Sequence, residues 1–351
     1  MANWLITREA VKRSAGIKTI DRDSVIDSFI DQASREIESE LTHRRFIPLT
    51  ATRSYSWPQR DGRGSVLYLD EDLLSVSALT KEGDDVTAIA AADYFLEPST
   101  LGPPYSRIEI DLASSSFFSS KSTHQRQIRV TGSWGYGNAT KTAGTVASGL
   151  ASDADATTFA CSDGSLIDVG DTLLIGTEQL FVSGRTSAAL GAILVNDAAI
   201  TQDAADVSIT VDGSHGIVAG EVILIDSERM YVSSVSTNVL TVIRAYDGSV
   251  LASHADDTAV HVFRTLTVTR GENGTTAAVH ANASAISKYA PPADIANLCK
   301  ALAIAYYEAE RGAWTGVIGT GEGSIETRHR TFNDLRAKIK GRYERRQVGA
   351  A

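Results

Sequence analysis

The feature that most constrains this chain is a repeat in its middle. Ile167–Ser183 (IDVGDTLLIGTEQLFVS) recurs as Ile217–Ser233 (IVAGEVILIDSERMYVS) at an offset of 50. Gly170/Gly220, Asp171/Glu221, Leu174/Leu224, Glu178/Glu228 and Val182/Val232 all coincide. A second register runs at an offset of 26. There Leu240-Thr241-Val242-Ile243-Arg244 matches Leu266-Thr267-Val268-Thr269-Arg270, Gly248 matches Gly274, and His254 matches His280. Both copies alternate apolar and polar residues, the period of a half-buried strand. Repeats in register imply supersecondary units that bury a shared face. An all-β domain of duplicated hairpin units is therefore expected over 139–289.

The flanks read differently. Thr7 can cap a short helix that ends near Gly16. Ile26, Phe29, Ile30, Ala33, Ile37 and Leu41 then fall at spacings of three and four, one face of an amphipathic helix. His43-Arg44-Arg45 puts positive charge at its C-terminal end, and Pro48 forbids continuation. Short strands are expected at Arg53–Trp57, Ser65–Leu69, Val76–Lys81, Tyr94–Glu97, Arg107–Asp111 and Gln127–Trp134. Helices return after Pro291-Pro292, over Ala293–Arg311 and about Ile325 to Arg346. The chain thus divides into 1–138, 139–289 and 290–351, with the β-domain inserted into an α+β core made from both ends.

Bulk properties narrow the function. Hydrophobic residues make up 43% and the net charge is −10, so a core can be buried while generic wrapping of nucleic acid is disfavoured. No apolar run approaches the ~20 residues that span a bilayer. The start, Met-Ala-Asn-Trp-Leu-Ile-Thr-Arg-Glu, lacks a signal-peptide profile, so assembly in a cytoplasm is expected. Cys161 and Cys299 are far apart and form no C-x-x-C. No histidine sits in a metal-ligand pattern, and no nucleophile elbow occurs. Asp163, Asp168, Asp171, Asp197, Asp206, Asp247, Asp256 and Asp257 form no calcium loop and read as turn and cap residues. No enzyme, metal or cofactor is expected.

SREIESELTHRRF (Ser34–Phe46), DYFLEP (Asp93–Pro98), SRIEID (Ser106–Asp111), IRVTGSWGYG (Ile128–Gly137) and PPADIANLCKALAIAYYEAERG (Pro291–Gly312) follow one another in an order that resembles the tailed-phage head–tail connector, or adaptor, family. The likeness covers roughly 200 residues and is interrupted by about 150 that the family pattern lacks. LTVTRGENGTTAAVHA (Leu266–Ala281) looks like β-modules of other phage structural proteins. The resemblance implies a helical connector core with a small β-region, a homo-oligomeric ring of about twelve under the portal protein, and a channel through which double-stranded DNA passes without sequence-specific binding. It implies a tail terminator or next neck protein as the distal partner, and a place at the head–tail junction of the virion.

The C-terminal segment is the expected portal-docking arm. Between 326 and 346 it holds Arg328, Arg330, Arg336, Lys338, Lys340, Arg342, Arg345 and Arg346 against three acidic residues, with Phe332, Leu335, Ile339 and Tyr343 along one side. Gly316, Gly319, Gly321 and Gly323 read as a hinge before it, since the loop lacks the Gly-Lys-Ser/Thr ending of a phosphate loop. Arg270, Gly271, Glu272, Asn273 and Gly274 read as a hairpin turn and a candidate contact loop of the insert. The alternative is a neck or tail binding module whose insert recognises capsid, a fibre or a host-surface glycan. All four tryptophans lie outside the insert, which weakens the glycan reading.

Overall fold

The computed structural model describes residues 3–59, 64–83, 87–121, 123–151, 153–194, 200–213, 215–311 and 324–345, with side chains in the last helix from 333 onward. Among these residues the chain is mostly β. Sixteen strands form two antiparallel sheets, of six and ten strands, beside four α-helices. The expected α+β fold with a helical connector core is thereby overturned. The reason lies in pairing over long sequence distances. Short flanking strands, each weak alone, join into a sheet with its own core around Trp134, Leu73 and Ile108.

Helix α1 spans Arg8–Ala15. Thr7 accepts a hydrogen bond from the Ala10 N–H, and Gly16 closes the helix at φ 65°, a conformation that suits glycine. Helix α2, Asp23–Arg35, runs on into a π-helical segment, Glu36–Thr42. Its buried positions Ile26, Ile30, Ala33, Ile37 and Leu41 follow the helical spacing and pack against Leu298, Cys299 and Leu302 of α3, Ala293–Arg311. The C-terminal helix α4, Ser324–Tyr343, adds Ile339 and Tyr343 to the same cluster.

The six-stranded sheet comprises β1 (Leu49–Tyr55), β2 (Val66–Lys81), β3 (Thr87–Ala88), β4 (Tyr94–Glu97), β5 (Tyr105–Ile110) and β6 (Ile128–Trp134). Its main order is β1-β6-β2-β5-β4, with β3 paired to β2. Two expected strands, Ser65–Leu69 and Val76–Lys81, are one bent strand. β2 pairs with β5 through Val66–Tyr68 and with β6 from Leu73 to Thr80. The acidic run between them resembles a loop in sequence. In the fold Asp70 accepts from Tyr55 Oη, Glu71 pairs with Arg53, and Asp72 pairs with Arg44 and Arg345. Tertiary partners thus override a local sequence that disfavours strand.

The ten-stranded sheet holds β7 (Thr140–Ser148), β8 (Thr158–Cys161), β9 (Thr172–Ile175), β10 (Glu178–Ile193), β11 (Ser208–Thr210), β12 (Val222–Ile225), β13 (Glu228–Ser236), β14 (Val239–Ile243), β15 (Ala259–Thr269) and β16 (Ala285–Tyr289). Following the pairings, β10–β9–β16–β7–β8–β15 and back to β10 closes one six-stranded barrel. A second closes through β15–β12–β13–β14–β11, the Leu194–Val211 bridge and the far end of β10. Each has its own core. The first centres on Leu173, Leu180 and Leu266, the second on Ile223, Met230 and Leu240.

The duplicated units are therefore nested barrels rather than hairpins set side by side. The second barrel is carried inside the β10–β15 hairpin of the first. Ile175 pairs with Ile286 as Ile225 pairs with Val260. Elements before the insertion point match copies 50 residues later, and elements after it match copies 26 residues earlier. One nesting accounts for both offsets.

Candidate functional site

Each barrel carries the same buried constellation. Glu228 begins β13 and is fully buried. Arg244 grips it with two hydrogen bonds, Nε to Oε1 at 2.7 Å and Nη2 to Oε2 at 2.8 Å. The Ala245 and Ala252 N–H groups donate to it, and His254 Nε2 lies 2.9 Å from Oε2. Glu178 repeats the set with Arg270 at 2.6 and 2.8 Å, the Gly271 and Ala278 N–H groups, and His280 at 2.7 Å. Burial alone would push the Glu228 carboxyl up. Arg244, the two N–H groups and His254 outweigh it and hold the group down to about 2. The Glu178 carboxyl is lowered by the same set against burial. With every lone pair directed at a protein donor, these carboxylates act as internal ties, not as sites with an open position.

The loops that hold these arginines dock inward. In the first barrel, Arg270–Gly274 is the expected contact loop of the insert. Arg270 is tied to Glu178, Asn273 exchanges side-chain hydrogen bonds with Asn3, and a Cβ at Gly274 would overlap the Thr50 carbonyl oxygen of β1. In this fold the loop joins the first barrel to the flanking body, with Gly274 exposed and the other four residues half-buried. The equivalent loop of the second barrel does the same to α1. Asp247 pairs with Lys12 at 2.7 Å, and Gly248 abuts the Lys18 carbonyl. Two copies of one turn thus fasten two barrels to two parts of the flanking body.

The segments that carry the connector resemblance converge. Phe46, Tyr136 and Tyr343 form an aromatic triangle with centroids 5.2–5.7 Å apart. Ser34 meets Cys299 at 3.4 Å, and Arg44 Nε donates to the Tyr343 carbonyl. Beside them Glu38 accepts from the Phe46 N–H, yet burial pushes its carboxyl up to about 7. The sequence displays Phe46, Tyr136 and Tyr343 in three separate segments, and nothing local in it signals that their rings meet.

The expected docking arm is divided. Ile339 and Tyr343 are buried in the helical cluster, and Leu335 packs against it. Arg336 pairs with Glu36, Arg342 with Asp294, and Arg345 with Asp72. Lys338 and Lys340 are exposed. The side chains of Arg328, Arg330 and Phe332, the hinge glycines Gly316, Gly319, Gly321 and Gly323, and Arg346 lie outside the described residues.

A cleft of about 610 Å³ lies between α1 and the barrels. Seven basic and four acidic side chains line it, with the Tyr231 and Tyr246 rings in tilted contact, centroids 5.4 Å apart, in one wall. Among the described residues no group of three His, Cys, Asp or Glu side chains is placed to hold a metal ion, and no helix is long and apolar enough to cross a membrane. Comparison of the chain with protein-family models, curated proteins and solved structures found no match.

Proposed function

We propose that this chain is a structural virion protein, a head–tail connector subunit that forms a ring of about twelve beneath the portal. The ring lines a channel for double-stranded DNA and offers a docking surface to the tail terminator or next neck protein. The observation that carries this reading is the meeting of Phe46, Tyr136 and Tyr343. Phe46 and Tyr136 come from segments whose order carries the resemblance, and Tyr343 comes from the C-terminal helix. Ser34 and Cys299 join two further resemblance positions, although about 150 residues of inserted chain separate Gly137 from Pro291. Lys338, Lys340 and Arg342 form the exposed basic face of α4 offered to the portal. A channel that lets DNA slide needs few tight phosphate grips, which suits a chain of net charge −10.

Light scattering of the full chain, alone and with its cognate portal, tests the reading. A complex of ring stoichiometry, weakened by Lys338→Glu with Lys340→Glu, is expected. A chain that stays monomeric and ignores the portal would remove the connector reading. Attention would then pass to the second reading, a binding module, which the two closed barrels with separate cores favour.

A further inference from the structure

The cleft between α1 and the second barrel combines an apolar floor with a basic rim. Ile20 and Ile243 are 48% and 53% exposed there, large values for isoleucines that line a concavity. Phe263 lies beneath Arg229, with the guanidinium carbon 5.0 Å from the ring centroid. The rim charges differ in accessibility. Arg13 is 55% exposed and Arg229 28%, whereas their partners Asp168 and Asp247 are 17% and 23% exposed. Asp168 is shared by Arg13 and Arg185, and Asp247 by Lys12 and Arg229. Asp23 pairs with Arg8 and Lys12. Burial, then the neighbouring Asp168, push the Glu9 carboxyl up, so it adds little negative charge. Arg185, also in the lining, keeps a buried Nε with no hydrogen-bond partner. Two lining cations are neutralised from outside the cleft, Arg8 by Asp27 and Arg244 by Glu228, so its accessible positive charge rests on Arg13, Lys18 and Arg229.

We propose that this cleft is a docking groove for an acidic peptide segment bearing apolar side chains, supplied by a partner protein. Its volume suits a few residues of chain. The isoleucines and tyrosines would take the apolar side chains, and Arg13, Arg229 and Lys18 would meet the carboxylates. Charge complementarity selects the occupant: the groove is a basic spot on an acidic molecule, so it attracts acidic segments. Nucleic acid fits less well, because a duplex would be repelled by the remainder of a chain of net charge −10. The inference does not depend on the connector reading.

The test uses the full chain and a display library of random twelve-residue peptides. Enriched peptides are expected to combine Asp or Glu with Leu, Ile or Phe, and to bind about tenfold more weakly to the Arg13→Glu, Ile243→Asp variant. Lys18→Glu, at an exposed position, supplies the same comparison should that variant fail to fold. Val250→Asp, outside the cleft, should change binding less than about twofold. Failure to enrich any peptide, or equal binding to wild type and cleft variants, overturns the proposal. Displacement of the peptides by a single-stranded oligonucleotide, with loss of acidic preference, reassigns the cleft to nucleic acid and overturns it as well.

Discussion

Glu228 and Arg244 face each other as a two-bonded, fully desolvated pair, and Glu178 and Arg270 repeat that pair in the other barrel. The tie joins the first residue of one hairpin strand to the residue after another strand, so it fixes a corner of each barrel. Breaking such a pair from one side leaves a buried charge uncompensated. Arg244→Ala should therefore cost about 3–5 kcal/mol, measured by denaturant unfolding. The same change at Arg270 should cost a similar amount and register in the first barrel.

The Glu228 carboxyl is held down to about 2 in the fold, below its ordinary value of 4.5. Its contribution to stability is then present above about pH 4.5 and is lost as pH falls through about 2. Acid titration followed by circular dichroism should show the barrels weakening in that window, with Glu228→Gln flattening the profile. A profile unchanged by the substitution would contradict the assignment.

Nesting predicts that the second barrel can be removed. In that barrel β13 turns directly into β14 at Thr237-Asn238, where the first barrel carries its insertion. Deleting residues 187–264 and closing Thr186 onto Thr265 with an Asn-Gly turn should leave the first barrel folded. Hydrogen exchange at Leu180 and Val182 reports the result. Loss of protection there would show that the barrels are one cooperative unit.

The inward loops predict unequal glycine effects. Gly274 takes φ 73° against the Thr50 carbonyl, and Gly248 takes φ 77° against that of Lys18 with more room. Gly274→Ala should destabilise more than Gly248→Ala, by about 1 kcal/mol or more, and should loosen exchange protection along β1.

The repeat was legible because both copies kept the residues of the buried tie: the glutamates, arginines and histidines recur at fixed offsets. What the offsets did not reveal was nesting, since a strand shared by two barrels has no local signature. The helical faces around Ile30 and Leu298 were legible from spacing alone. The fold class was not, because β1 and β6 pair across more than seventy residues of sequence and the Asp70–Asp72 run hides a strand whose stability comes from Arg44, Arg53 and Arg345. The α4 stripe was visible, but its direction was not. Ile339 and Tyr343 face the core, leaving the lysines outward.

The thiols offer a simple check on packing. Cys299 is buried beside Ser34, and burial pushes its thiol up to about 12, so it should resist alkylation in the native protein. Rapid labelling of Cys299 without denaturant would contradict the α2–α3 packing.

The connector role is tested most directly by electron microscopy of particles made when this gene carries an early stop codon. The account predicts DNA-filled heads without attached tails, restored to tailed particles by supplying the intact chain. Complete tailed particles made in its absence would contradict it.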